Sequence, residues 1–291
     1  MAIITVDHLR KTYGTRVAVE DVSFSVKEGE VFGIVGRNGA GKTTTVECVA
    51  GLRTPTAGTV TVDADLKEQV GVQLQECSLP DKIRVGEALA LYASFYARPA
   101  DWRALAEEAG LDLRAPFGKL SGGQRQRLSV ALALVGSPRI AILDELTTGL
   151  DPRARRETYD LIARIRERGV TILLVTHFME EVERLCDRVA VISRGRVRAV
   201  DTPEGLVARA GGEQRLVFHT AEPVDALRAL PEVASVTVAD GANAPEVTVT
   251  GTGELLSAVT AVLPPSRTRG LRMERTTLDD AFLVLTGQEE S

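Results

Sequence analysis

The sequence predicts an α/β fold in which a largely parallel sheet is covered by helices, interrupted by a helical insertion and followed by a small α+β domain. Three observations carry this prediction. Short apolar runs at Val31–Val35, Val70–Leu74, Ile140–Leu143, Val170–Val175 and Val189–Ser193 alternate with longer stretches of helical patterning, as buried parallel strands joined by helices do. From Val85 to about Leu111 the pattern is helical without strands, which places a helical subdomain at about residues 76–135. Near Ala210-Gly211-Gly212 a glycine pair opens a linker, dividing the chain into residues 1–210 and 211–291.

The first run leads straight into Gly36-Arg37-Asn38-Gly39-Ala40-Gly41-Lys42-Thr43, which fits G-x-x-x-x-G-K-[ST]. Thr43 to Ala50 reads as a helix closed by Gly51, so the loop lies at a strand-to-helix turn. There the glycines let the backbone turn its N–H groups inward, and the helix N-terminus adds partial positive charge where polyphosphate would lie. This is a phosphate-binding loop, in which Lys42 would reach the β- and γ-phosphates and the Thr43 hydroxyl would ligate Mg²⁺.

Farther along, Leu120-Ser121-Gly122-Gly123-Gln124 opens a helix running through Val130 to Val135. Ser121 and Gln124 form an S-x-x-Q capping box, and the two glycines leave first-turn amides open to a phosphate. Ile140-Ala141-Ile142-Leu143-Asp144-Glu145 is an apolar strand ending in two carboxylates at the edge where α/β sheets bind ligands. Beside a phosphate-binding loop, Asp144 is expected to hold Mg²⁺, directly or through water, and Glu145 to polarise the attacking water. Residues 153–168 mix arginines with Glu157, Asp160 and Glu167 around an apolar face of Tyr159, Leu161, Ile162 and Ile165, the pattern of a solvated amphipathic helix. Arg194-Gly195 reads as a tight turn between strands, and Thr202-Pro203-Glu204 as the start of a short helix.

In the C-terminal part, Leu216–Thr220, Val233–Ala239, Val247–Thr250 and a run around Leu271–Arg275 read as strands. Val224–Leu230 and Glu254–Leu263 read as helices, giving the order β-α-β-β-α-β compatible with a ferredoxin-like sandwich. A last helix starts at Thr277, with Leu278, Ala281, Phe282 and Leu285 on one stripe that packs within its domain or docks on a partner.

Composition narrows the function classes. The 291 residues carry a formal charge of −5, which argues against a general nucleic-acid binder. No apolar run approaches the roughly 20 residues that span a bilayer, and the start lacks the basic region of a secretion signal. The chain is therefore expected in the cytoplasm. Cys48, Cys77 and Cys186 form neither a metal-ligand pattern nor an even disulfide set and read as reduced packing residues.

With these residues in view, positions 3–210 closely resemble the nucleotide-binding subunits of ABC transporters, whose signature Leu120-Ser121-Gly122-Gly123-Gln124 reproduces unchanged. The resemblance implies an ABC-type P-loop fold binding ATP and Mg²⁺. It extends the ATP contacts over Gly36, Arg37, Asn38, Gly39, Ala40, Gly41, Lys42, Thr43 and Thr44. It also implies a head-to-tail dimer, of like or related subunits, in which Ser121, Gly122, Gly123 and Gln124 complete the partner's ATP site. Tyr13 resembles the residue that stacks on adenine. Gln75 resembles the glutamine linking Mg²⁺ and water to the helical subdomain. Asp151, in Gly149-Leu150-Asp151, resembles the loop crossing the dimer interface, and His177 resembles the histidine that contacts the γ-phosphate.

The resemblance further implies a separate membrane permease, docked near Cys77 to Tyr92, and a peripheral place on the inner face of the cell membrane. The ending Thr277–Gly287 resembles the drug-exporter ATPases of the daunorubicin-resistance group, implying export of a hydrophobic or amphipathic compound. Departures from the family pattern are Leu146 and Arg37 at usual proline positions, and a short connection from Thr54 to Gln69 expected to trim the antiparallel strands on the adenine side. Two alternatives stay open: a soluble ABC ATPase of translation or DNA repair, which would usually carry two cassettes or a coiled-coil insertion, and a nucleotide-sensing module, which need not keep hydrolytic groups.

Overall fold

The computed structural model describes residues 1–73, 78–210, 214–239 and 244–287. Leu74, Gln75, Cys77 and the pair Gly211-Gly212 lie outside them. Contacts divide the chain into two units, Met1–Pro203 and Glu204–Ser291.

The first unit begins with two long strands, β1 (Ala2–Tyr13) and β2 (Arg16–Lys27), which form an antiparallel hairpin. β3 (Val31–Val35) follows, then the phosphate-binding loop and α1 (Lys42–Val49). The short connection expected to trim this side still holds β4 (Ala57–Val62), a six-residue strand paired with β1. β5 (Val70–Gln73) leads to the helical subdomain of α2 (Val85–Ala93), α3 (Trp102–Glu108) and α4 (Gly122–Leu134). Then come β6 (Ile140–Asp144), α5 (Pro152–Glu167), β7 (Thr171–Thr176), α6 (Met179–Leu185) and the hairpin of β8 (Arg188–Ser193) and β9 (Arg196–Asp201). Arg194 and Gly195 turn that hairpin with φ of 52° and 71°, the left-handed pair that matches strand twist.

The strands join in the order β4-β1-β2-β9-β8-β3-β7-β6-β5. From β8 to β5 every neighbour is parallel, and β3, β6 and β7 are buried along their whole length. That is why they read as unbroken apolar runs: both faces are covered, so no position can alternate to water. At about 1.5–3 kcal/mol for each buried aliphatic side chain, this layer is the main stabilising mass of the unit. β1 and β2 pack Ile3, Ile4, Val6, Leu9, Val22, Phe24 and Val26 into the same core as Val46 and Val49 of α1.

Register decides where the site lies. Val35 sits opposite Thr176, and Asp144 opposite Val175. The carboxyl ends of β3, β6 and β7 therefore finish side by side, at the edge where open α/β sheets bind ligands.

The second unit takes up α7 (Pro203–Arg209) from its second residue, Glu204, and the helix starts where the proline-initiated one was expected. Its sheet of β10 (Gln214–His219), β11 (Val233–Ala239), β12 (Glu246–Gly251) and β13 (Arg269–Arg275) has the order β11-β12-β10-β13, antiparallel throughout. α8 (Leu255–Val262) packs Leu255 and Val259 beneath it, and α9 (Leu278–Thr286) is capped by Thr277. The helix expected at Val224–Leu230 is instead a short 3₁₀ turn, Asp225–Ala229. Pro223 and Pro231 enclose it, and a residue before proline is pushed out of the helical region. Among the described residues no helix is long and apolar enough to cross a membrane.

Candidate functional site

A cleft of about 700 Å³ opens at the carboxyl ends of β3, β6 and β7, lined by the loop residues Asn38, Gly39, Gly41, Lys42, Thr43 and Thr44 together with Glu145 and His177. The loop holds its shape through two close approaches. A Cβ on Gly36 would meet the Ile192 carbonyl oxygen at 2.4 Å. One on Gly41, at φ +102°, would meet the Ala18 carbonyl oxygen at 2.7 Å. Gly41 is also the N-cap of α1, with no side chain capping the helix and no acid in its first turn. The first-turn amides and the positive end of the dipole are thus left for an anion.

Gly36, Arg37 and Ala40 shape the loop without lining the cleft. The Lys42 ammonium donates to the Gly36 and Arg37 carbonyls at 2.8 and 3.2 Å. Burial lowers its pKa, against the pull of Glu145 and Asp144.

Asp144 is 2% exposed, and its backbone amide donates to the Gln73 side chain at 3.1 Å. Burial first, and the Glu145 carboxylate second, push its pKa up to about 6. The Lys42 ammonium pulls the other way without cancelling that shift. Among the described residues no group of three or more His, Cys, Asp or Glu is placed to hold a metal. The donor set is a carboxylate with the Thr43 hydroxyl beside a phosphate-binding loop, which fits Mg²⁺ sharing its coordination with phosphate and water.

Glu145 adopts φ +50°, a left-handed backbone that costs a non-glycine residue energy and is held by its surroundings. Its amide donates to the Val175 carbonyl at 2.9 Å, fixing the turn out of β6 to the end of β7. One carboxylate oxygen lies 3.5 Å from Nδ1 of His177, and the other accepts from the Thr148 hydroxyl at 3.4 Å. The His177 ring lies against that of Phe178, tilted by 38° with centroids 4.0 Å apart.

A second cleft, of about 660 Å³, is lined by Ser121, Gly123, Gln124 and Asp151 among others and shares no lining residue with the first. Ser121 and Gln124 form the expected capping box. The Ser121 hydroxyl accepts the Gln124 amide at 3.3 Å, and Gln124 accepts the Ser121 amide at 2.9 Å. Asp151 caps α5, accepting the Arg153 and Ala154 amides at 2.9 Å each. Within one chain, then, the LSGGQ helix is not brought to the phosphate loop.

Gln75 falls outside the described residues. Tyr13 is 40% exposed on β1, where Lys11 and Arg53 approach its ring at 5.2 and 5.9 Å, and it does not line the cleft. Arg16, Val17, Ala18 and Thr148 do line it and were not anticipated. The first three arrive because the β1–β2 hairpin folds back over Gly41. Thr148 had a readable signal: it lies one turn beyond Glu145.

The sequence model of the ABC transporter family matches residues 19–148. Along its full length the chain resembles the Nod factor export ATP-binding protein I of Burkholderia orbicola, at 37% identity over 99% of both chains. It is also similar to the linearmycin resistance ATP-binding protein LnrL of Bacillus subtilis, at 30% identity over 98% of this chain and 99% of that one. Among solved structures, the ATP-binding subunit of an ABC transporter superposes with a TM-score of 0.65 at 28% identity, covering 72% of this chain and 93% of that one. A full-length likeness to ATP-binding proteins, together with a phosphate loop facing a carboxylate and a histidine, leads to one assignment: the chain belongs to the ABC transporter family as an ATP-hydrolysing, ATP-binding subunit.

Proposed function

We propose that this subunit powers an exporter of a hydrophobic or amphipathic compound, working through a separate membrane permease on the inner face of the cell membrane. The observation that carries the hydrolytic part is the placement of Lys42, Thr43, Glu145 and His177 around one cleft. Export rests on the likeness to the Nod factor and linearmycin resistance proteins, which runs through the second unit as well as the first. This supports reading residues 1–210 as the ATP-binding domain and 211–291 as an accessory domain of exporter type. Leu91, 48% exposed on α2, and Phe95, 68% exposed just beyond its C-cap Ser94, support a permease contact on the helical subdomain.

In this reading the phosphate loop, from Gly36 to Thr44, binds the ATP phosphates, and Lys42 turns from the loop carbonyls to the β- and γ-phosphates. Tyr13 stacks on adenine. Thr43, Asp144 and Gln75 would hold Mg²⁺, which would neutralise phosphate charge when bound. Glu145 accepts the proton of the attacking water as its oxygen bonds to the γ-phosphorus. The bond from that phosphorus to the β–γ bridging oxygen breaks, and ADP leaves with the electron pair. His177 holds the γ-phosphate in line. The signature residues Ser121, Gly122, Gly123 and Gln124, with Asp151, serve the ATP of a second subunit in a head-to-tail dimer. The separation of the two clefts supports this, since a signature with phosphate-facing amides needs a phosphate it cannot reach within its own chain.

Glu145→Gln keeps the shape and loses the base. We expect turnover to fall by about 10²–10⁴ while equilibrium ATP binding is retained, whereas Lys42→Ala weakens binding itself. Wild-type turnover in Glu145→Gln overturns the base assignment. Co-purification of a polytopic membrane protein with ATP-loaded Glu145→Gln from solubilised membranes tests the permease; recovery of ribosomes or repair factors instead rules out transport.

A further inference from the structure

Behind the hydrolytic pair lies a second constellation, buried and polar. Glu181 on α6 is fully buried, and one of its carboxylate oxygens accepts from the Thr147 hydroxyl. Thr147 is itself fully buried, two residues beyond Glu145. The other oxygen has no partner in hydrogen-bonding geometry, although the nearby Thr176 hydroxyl favours the ionised form. Thr176 is the last residue of β7, and its hydroxyl accepts the Phe178 amide at 3.0 Å, so it braces both sides of His177.

The same pocket of side chains holds the Tyr159 hydroxyl of α5, which is buried with no partner in hydrogen-bonding geometry and whose neighbours include Glu181, Arg155 and the Thr147 hydroxyl. Arg155 pairs with Glu180 at 3.0 Å and lies over the Phe178 ring at 5.6 Å, while Arg184 lies over the Tyr159 ring at 5.3 Å. α5 and α6 are thus fastened together directly beneath the loop of Glu145 and the turn of His177. A buried carboxylate with one unpaired oxygen is a poor way to stabilise a core. Desolvation raises its pKa, a direct sign of that cost. Its placement does have a geometric consequence, because Thr147 and α6 can separate only by breaking this bond.

We infer that Glu181 is a positioning residue for hydrolysis: its carboxylate ties the loop carrying Glu145 to the helix that follows His177, holding the two side chains at their 3.5 Å separation. The inference rests on the roles proposed for Glu145 and His177. It predicts that loosening the tie slows turnover without weakening nucleotide binding, since no atom of Glu181 or Thr147 lines the cleft.

The test uses the full-length chain, measuring kcat for ATP and equilibrium binding of a fluorescent ATP analogue. Thr147→Val, which removes only the donor, is expected to lower kcat about tenfold, the scale of one hydrogen bond to a charged group, with affinity unchanged. Glu181→Leu should do the same, and Glu181→Gln, whose amide oxygen still accepts from Thr147, should restore most of the loss. The double variant Thr147→Val/Glu181→Leu should be no slower than either single one, because both break the same bond. Wild-type kcat in Thr147→Val, additive losses in the double variant, or parallel loss of affinity and kcat would each overturn the inference. Glu145→Gln in the same assay separates the two levels: if it hydrolyses ATP at the wild-type rate, the underlying base assignment fails, whereas an inactive Glu145→Gln beside a fully active Thr147→Val sinks the positioning role alone.

Discussion

Gly122 and Gly123 stand side by side at the start of α4 for different reasons. A Cβ on Gly123 would meet the Ala154 Cβ at 2.7 Å, so this glycine lets α4 approach α5. A Cβ on Gly122 would find only the Leu150 Cδ2, at 3.8 Å. Gly123→Ala should therefore destabilise the isolated chain by about 1–3 kcal/mol through overpacking, and Gly122→Ala should stabilise it by about 0.4–1 kcal/mol through a stiffer unfolded chain. If Gly122 helps complete a partner's ATP site, Gly122→Ala still loses turnover; thermal melts beside ATPase assays separate the two effects. Unchanged turnover in Gly122→Ala would speak against that contact. Asp144 gives a second test. Its folded pKa of about 6, against an ordinary 3.8, means the fold prefers the protonated acid. The sign follows: relative to Asp144→Asn, the nucleotide-free wild type should be most stable below pH 3.8 and lose about 3 kcal/mol as pH rises through 6. Urea unfolding of both proteins across that range checks it. The glycines' two separate roles were not readable from the sequence, since only the chain folded against Ala154 distinguishes them.

Among the elements, legibility followed burial. β3 appears with the bounds its apolar run predicts, and β6, β7 and β8 within a residue or so, because strands covered on both faces leave unbroken hydrophobic runs. β1 was harder: register shifts between Val6 and Leu9 and on to Thr12 break the period of two that would have announced it. In β2 Val22, Phe24 and Val26 alternate as a half-buried strand does, yet no strand was expected over Arg16–Lys27. The Asp225–Ala229 turn shows the opposite failure, an apolar helical period that two prolines leave too little room to express. What periodicity could not show at all is how α3, α4 and α5 are joined. Arg127 of α4, only 11% exposed, donates to the Ala109 carbonyl at 2.8 Å and to Glu157 of α5 at 2.7 Å. Arg127→Ala opens both bonds and leaves a buried carbonyl unpaired, so a loss of about 2 kcal/mol in chemical unfolding is expected. A loss near zero would place the subdomain's attachment in its apolar contacts instead.

At the scale of the molecule, the division between Pro203 and Glu204 separates two cores. Every residue lining the nucleotide cleft belongs to the first unit. The second has its own apolar centre, in which Leu216, Phe218, Val236, Val247 and Val249 of the sheet enclose Leu227, Leu255, Val259 and Leu263. It also exceeds the roughly 40 residues below which domains usually need disulfides, metals or partners to fold. Each unit should therefore fold without the other. A chain ending at residue 203 is expected to bind an ATP analogue within about threefold of the full-length affinity, a difference of well under 1.4 kcal/mol, and residues 204–291 expressed alone should melt cooperatively. A broad melt of the C-terminal piece would mean that its core is completed by the first unit. If both pieces behave as expected, the likeness to export proteins across the second unit has no role in holding the nucleotide site together, and export assays on the shortened chain become the direct measure of what that unit contributes to transport.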